Sequence, residues 1–311
     1  MKESNGRRHT YIRHARYMDT IVTLQIVSTE DQQAELSRRA DQAMQCFATV
    51  ESICSRFQPD SELRQLCSRP GEPVTVSPVL FEAVRFALRM AEETAGAFDP
   101  TVGHAMERAG FDREYVSGLR RSTFADTEIV ATYKDVRLDE VHRTIKLVKP
   151  LLLDLGAVAK GLAVDLAAQS LTGFDGFAID AGGDVFVSGS NDTGGLWRVG
   201  IRHPIQPDAL IATLELTDCA ICTSGTYERF DPSTPDRHHL LDPVTGESQN
   251  KLVSCTVIAP FAMLADGCST AAFVLGPEKG IALLDRLELE GLLLPSSLVP
   301  APTSSFARYT R

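Results

Sequence analysis

Residues 151–189, LLLDLGAVAKGLAVDLAAQSLTGFDGFAIDAGGDVFVSG, decide the fold class. An apolar run, Leu151 to Leu153, delivers Asp154 and a turn at Gly156, and a helix follows from about Val158 to Leu171, with Lys160 in its first turn. Two short strands come next, FAID and DVFVSG, joined by the double-glycine turn Gly182-Gly183. Outward from this stretch, residues 18–28 read as a strand. Residues 31–57 read as a helix, because Leu36, Ala40, Ala43, Phe47, Val50, Cys54 and Phe57 recur at spacings of three and four. A loop with Pro59, Pro70, Gly71 and Pro73 leads to a second helix, opened by Ser77 as N-cap and Pro78 in the first turn and ended near Gly96. Residues 134–148 read as a hairpin. Trp197–Arg202, Leu210–Leu216 and Val253–Ala259 read as strands, and helices are expected around Met263–Leu275 and Lys279–Leu287. Strands and helices mix without a regular βαβ cadence, which predicts α+β rather than a doubly wound parallel sheet. The expected division is a basic N-terminal segment 1–17, one domain 18–296 and a loose tail 297–311.

The chain has 311 residues, 43% hydrophobic and 23% charged. These values exclude wholesale disorder, a collagen-like repeat and a coiled coil. Lys plus Arg number 31 against 41 Asp plus Glu, a formal charge of −10. So acidic a chain is mismatched to non-specific binding of nucleic acid or an anionic membrane. Seven cysteines, Cys46, Cys54, Cys67, Cys219, Cys222, Cys255 and Cys268, show no framework spacing and read as mostly buried free thiols in a reducing compartment. The N-terminal stretch is basic with no apolar region behind it. The expectation is a cytoplasmic protein without signal peptide, lipidated cysteine or membrane span, or a periplasmic one if a leader has been removed.

Five stretches carry candidate chemistry. Asp154 to Gly161 sets an acid, a glycine turn and Lys160 at a helix start, which suits a phosphate or pyrophosphate. Its spacing is neither a Walker A loop nor G-x-G-x-x-G, and a plain helix start with an N-terminal acid is an equal reading. Ala181-Gly182-Gly183-Asp184 is a tight turn that geometry alone can explain. Thr223 to Phe230 and His238-His239-Leu240-Leu241-Asp242-Pro243 form a loop rich in hydroxyl, imidazole and acid groups, with a solvated loop as the structural alternative. Asp266 and Thr270, four residues apart, share a helix face; a carboxylate and a hydroxyl are hard oxygen donors that suit Mg²⁺, or an internal hydrogen bond. Ala97-Phe98-Asp99-Pro100 closes the second helix with an aromatic that could stack on a ring or staple the helix end. Cys219-x-x-Cys222 has no second pair and reads as strand, and no G-x-S-x-G elbow is present.

Nine blocks in order, MDTIVTLQI, SRFQPDSEL, TAGAFDPTVG, LDLGAVAKGLAVD, AIDAGGDVFVSG, WRVGIRHP, CTSGTYERF, HHLLDPVTGE and ADGCSTAAFVLG, span residue 18 to about 276. Together they resemble the ApbE family, the Mg²⁺-dependent FAD:protein FMN transferases. The resemblance implies a T-fold-like mixture of sheets and helices around a central FAD cleft. It implies flavin-nucleotide contacts at Met18, Phe57, Ala97, Phe98 and Asp99, polar FAD contacts at Asp154 and Lys160, and a flavin contact at Leu240. It implies Mg²⁺ held by the Ala157 carbonyl, Asp266 and Thr270, with Ser269 close by, and a reactive histidine at His239. Asp19 stands where the family has Gly, and the lipoprotein leader of many periplasmic members is not found in this sequence.

The implied reaction transfers the FMN moiety of FAD to a Thr or Ser hydroxyl of an acceptor flavoprotein, in a short motif of Gly and small residues, and releases AMP. Mg²⁺ and Lys160 suit the charge that develops on the phosphates, and His239 suits a base near neutral pH. An FAD pyrophosphatase giving FMN and AMP, and a non-catalytic FAD-binding protein, are the alternatives.

Overall fold

The computed structural model describes residues 8–29, 32–112, 130–206, 208–227, 230–231 and 234–310. The first seven residues of the basic N-terminal segment, and Glu228-Arg229 of the TYERF block, lie outside the described residues.

The elements follow in chain order: β1 (His9–Tyr17), β2 (Thr20–Ser28), α1 (Gln33–Cys54), α2 (Glu62–Cys67), β3 (Pro73–Thr75), α3 (Pro78–Glu93) and α4 (Gly103–Arg108). Then come β4 (Val136–Asp139), β5 (Thr144–Leu147), α5 (Gly156–Leu171), β6 (Gly176–Ala181), β7 (Asp184–Gly189), β8 (Trp197–Arg202), β9 (Leu210–Leu216) and β10 (Cys219–Gly225). The chain closes with β11 (Phe230–Asp231), β12 (Thr234–His238), β13 (Leu252–Ala259), α6 (Ala262–Leu275), α7 (Pro277–Arg286), β14 (Glu290–Pro295) and β15 (Ala301–Pro302).

One eight-stranded sheet, in the order β1-β2-β6-β7-β10-β13-β14-β15, organises the domain. Every pairing in it is antiparallel, as an α+β fold requires. One face is covered by helices, with α5 packed between α1 and α6. Alternation along β2 explains the layering: Val22, Leu24 and Ile26 point into the helical core, whereas Val27 joins a second core on the opposite face. That second core is closed by β8 and β9 through Trp197, Ile201, Leu214 and Leu216. Helix α5 is buried along most of its length, through Val158, Leu162, Val164, Ala167 and Leu171, because it meets other elements on nearly every side.

Several expectations change. Helix α5 starts at Gly156, so Lys160 sits in its second turn rather than its first. Residues 9–17 are not a segment outside the domain; they form β1, paired residue for residue with β2. The span read as a loop between Pro59 and Pro73 contains α2, capped by Ser61, whose hydroxyl accepts the Arg64 N–H at 3.1 Å. The tail is tethered: β15 pairs with β14, and Phe306 is buried at 3% exposure in the second core. The helix expected at Ser77 is present, with the Ser77 hydroxyl accepting the Leu80 N–H and Pro78 at the first helical position. Among the described residues no helix is long and apolar enough to cross a membrane.

Candidate active site

A cavity of about 300 Å³ opens where the N-terminus of α5, the middle of α6, the β1–β2 turn and the segment after β12 converge. Every site residue expected from the sequence except Ser269 lines it. One wall holds Met18, Phe57 and the Ala97-Phe98-Asp99 turn. A second holds Asp154, Ala157 and Lys160, and a third holds Asp266 and Thr270 one helical turn apart on α6. His239 and Leu240 supply the remaining side.

The walls are held by specific bonds. Met18 and Asp19 form the β1–β2 turn with φ of 52° and 61°. A two-residue hairpin turn of this hand needs positive φ at both positions. Asp is among the residues that tolerate that conformation, so Asp19 fills a place suited to Gly without altering the turn. The Met18 N–H donates to Glu51 Oε1 at 3.0 Å, tying the turn to α1. Asp99 is buried; Oδ1 accepts from the Thr101 N–H at 2.8 Å and Oδ2 from the Tyr133 N–H at 2.9 Å. Burial raises its carboxyl pKa, and the bonds to Thr101 and Tyr133 oppose that rise.

Asp154 is paired with Arg56, a residue the sequence reading passed over. Arg56 Nε lies 2.5 Å from Asp154 Oδ2, its other arm donates to the Phe111 carbonyl at 2.6 Å, and its guanidinium stacks 4.1 Å from the Phe57 ring centre. Asp154 Oδ1 accepts the Gly156 N–H at 2.8 Å, fixing the start of α5. The only sequence signal for Arg56 was its place beside Phe57.

Lys160 lies between two buried carboxylates. Its Nζ donates to Asp266 Oδ2 at 3.1 Å and stands 2.5 Å from Asp184 Oδ2. The closer contact is an ion pair off the hydrogen-bond axis, and Asp184 Oδ2 has no aligned donor. Burial, and then the neighbouring Asp184 charge, raise the Asp266 pKa, with Lys160 opposing. Ser269 lies behind the cavity wall, fully buried. Its hydroxyl donates to the Asp266 carbonyl at 2.9 Å and sits 2.7 Å from Ser224 Oγ. Ser224 Oγ is also 3.0 Å from Thr270 Oγ1. Thr223 and Ser224, read from sequence as loop, are residues of β10 and line the cavity.

The two adjacent histidines differ. His238 is buried rather than part of a solvated loop, and its ring stands edge-on to Phe273 at 5.7 Å and 87°. His238 Nδ1 accepts the Leu240 N–H at 3.2 Å, which leaves Nε2 to donate to the Gln249 carbonyl at 3.1 Å. Burial lowers its pKa. His239 turns instead to the cavity. Its segment is pinned by the Gln249 N–H to the Leu240 carbonyl at 3.0 Å and by a turn in which Asp242 Oδ1 accepts the Val244 N–H at 2.8 Å.

The donor chemistry fits a divalent cation of the hard-oxygen class. Asp266 and Thr270 face the cavity, and the Asp184–Lys160–Asp266 cluster sets two carboxyl groups against one ammonium. Among the described residues no group of three or more His, Cys, Asp or Glu is placed to hold a metal ion. A chain that binds a phosphorylated ligand here would meet Lys160, the N-terminal end of α5 and an aromatic at Phe57 in one space.

The sequence profile of the ApbE family matches residues 18–293. An FAD:protein FMN transferase of Treponema pallidum (strain Nichols) is 35% identical over 277 residues, covering 81% of this chain and 75% of that protein. One of Vibrio cholerae is 30% identical over 262 residues, covering 79% and 75%. The crystal structure of the ApbE protein from Thermotoga maritima superposes with a TM-score of 0.85 at 29% identity, over 97% of this chain and 100% of that one. The flavin transferase ApbE from Vibrio cholerae superposes with a TM-score of 0.82 at 26% identity, over 97% and 99%. A profile spanning most of the chain, a relative at 35% identity and a shared fold over nearly every residue agree: this chain belongs to the ApbE family.

Proposed function

We propose that this protein is a Mg²⁺-dependent FAD:protein FMN transferase that moves the FMN moiety of FAD onto a Thr or Ser hydroxyl of an acceptor flavoprotein and releases AMP. The observation that carries the reading is that one cavity is lined by His239, Lys160, Asp266 and Thr270 together with Phe57.

In this reading Phe57 offers a ring face to the flavin or adenine, and the Arg56 guanidinium packed on that ring helps to fix it. Met18 and the Ala97-Phe98-Asp99 turn bound the nucleotide, with Asp154 at the start of α5. Lys160 and the N-terminal end of α5 meet the pyrophosphate with positive potential. Asp266, Thr270 and the Ala157 carbonyl are the oxygen donors for Mg²⁺, which when bound would offset the charge developing on the phosphate oxygens. Ser224 and Ser269 orient the Thr270 hydroxyl through their shared hydrogen bonds.

His239 takes the proton of the acceptor hydroxyl as its oxygen bonds to the FMN phosphorus. The P–O bond to the bridging oxygen breaks in the same displacement, and AMP leaves with that oxygen.

The test is incubation with FAD and Mg²⁺, with and without a flavoprotein bearing a candidate Thr or Ser. AMP release together with an FMN mass increment on the acceptor is expected. AMP and free FMN with no adduct on any acceptor would establish a pyrophosphatase instead, and no AMP at all a binding protein.

A further inference from the structure

Asp184 opens β7 after the Gly182-Gly183 turn and is buried at 3% exposure. It does not line the cavity; it stands behind Lys160, whose Nζ it approaches more closely than Asp266 does, 2.5 Å against 3.1 Å. The antiparallel register of β7 and β10, which pairs Val185 with Ile221, brings Cys222 beside it from the neighbouring strand. The buried Cys222 thiol is uncharged, and burial pushes it well above its ordinary pKa. Among the described residues Lys160 is the cation that pairs with Asp184.

A lone ammonium between two carboxylates serves whichever is left without a partner, because a buried unpaired charge is costly. Without the Asp184 charge, Asp266 would hold the Lys160 ion pair alone and would give way to a divalent cation less readily. With it, Lys160 keeps a partner when Asp266 turns to another cation.

We propose that Asp184 is a positioning residue: it shares the Lys160 ammonium with Asp266, so that Lys160 keeps a carboxylate partner beside the phosphate subsite when Asp266 turns to a divalent cation. The proposal rests on the metal reading above. It assigns Asp184 no contact with substrate.

The experiment titrates the intact chain, without FAD, with Mn²⁺ as a paramagnetic stand-in and follows the free-ion EPR signal. Four proteins are compared: wild type, Asp184→Asn, Lys160→Met and the double variant, with folding checked by thermal melts. Asp184→Asn should weaken Mn²⁺ binding about tenfold, a coupling of the size found between contacting charges. In the Lys160→Met background the same change should cost about twofold or less, because the competitor is gone. Equal affinity for wild type and Asp184→Asn overturns the proposal. A tenfold loss in both backgrounds also overturns it, since Asp184 would then act on the ion directly. Should Asp184→Asn fold poorly, Lys160→Met alone decides: it should bind Mn²⁺ at least as tightly as wild type, and weaker binding overturns the proposal. A wild-type chain that binds no Mn²⁺ removes the metal reading itself.

Discussion

Asp165, in the third turn of α5, caps α6 from outside that helix: its Oδ1 accepts the Ala262 N–H at 2.6 Å. Oδ2 accepts the next donor, the Met263 N–H, at 2.9 Å. The residue at the N-cap position of α6 is Phe261, whose side chain makes no capping hydrogen bond. The cap therefore ties the helix bearing Asp266 and Thr270 to the helix bearing Lys160. Asp165→Ala should cost about 2 kcal/mol of stability by leaving two backbone donors unsatisfied. Urea melts check this, and a loss under about 0.5 kcal/mol contradicts the capping role.

Gly161 marks the closest approach of the same two helices. A Cβ there would fall 2.5 Å from Met263 Cα and 2.6 Å from the Ala262 carbonyl carbon and oxygen. Those are backbone atoms and cannot swing away. Gly161→Ala should destabilise by about 1–3 kcal/mol and lower FMN transfer, because α6 must shift. Thermal melts and AMP release read both effects; a variant with unchanged melting temperature would refute the contact.

His238 makes stability depend on pH. Burial lowers its folded pKa, while in the unfolded chain it titrates near about 6.5. The unfolded state therefore binds more protons below that pH, and stability present above about 6.5 is lost as pH falls. His238→Gln should be less stable than wild type at pH 7.5 yet show a flatter fall between pH 7.5 and pH 5.5. Parallel slopes for the two proteins in urea melts would count against this.

His239 should matter to turnover rather than folding. General-base help is worth about 10²–10⁴ in rate, so His239→Ala should lose transfer by that order while FAD affinity is largely kept. Saturation kinetics and a separate FAD titration distinguish this from a binding role. Loss of affinity with unchanged turnover at saturation would make His239 a substrate contact.

Much of the fold was legible because its signals are local. Ser77 and Pro78 announced α3, the three-and-four spacing announced α1, and the double glycine announced the β6–β7 turn. Strand β1, HTYIRHARY, was missed because it is an edge strand with most side chains exposed, so no apolar alternation marks it. Helix α2 is six residues long, too short for periodicity to register, and the C-terminal segment depends largely on Phe306 as its buried anchor.

The sequence by itself determined the local motifs in which the proposed site residues His239, Lys160, Asp266 and Thr270 stand, because turn and helix spacing act over a few residues. Only the tertiary structure decided what surrounds them. Lys160 meets Asp266 across 106 positions, Arg56 meets Asp154 across 98, and Asp165 reaches Ala262 across 97. The identity of a side chain fixes the charge it can hold. The field it feels depends on which distant segments are packed against it and how far water is excluded, and that is a property of the packed helices α5 and α6 against the sheet.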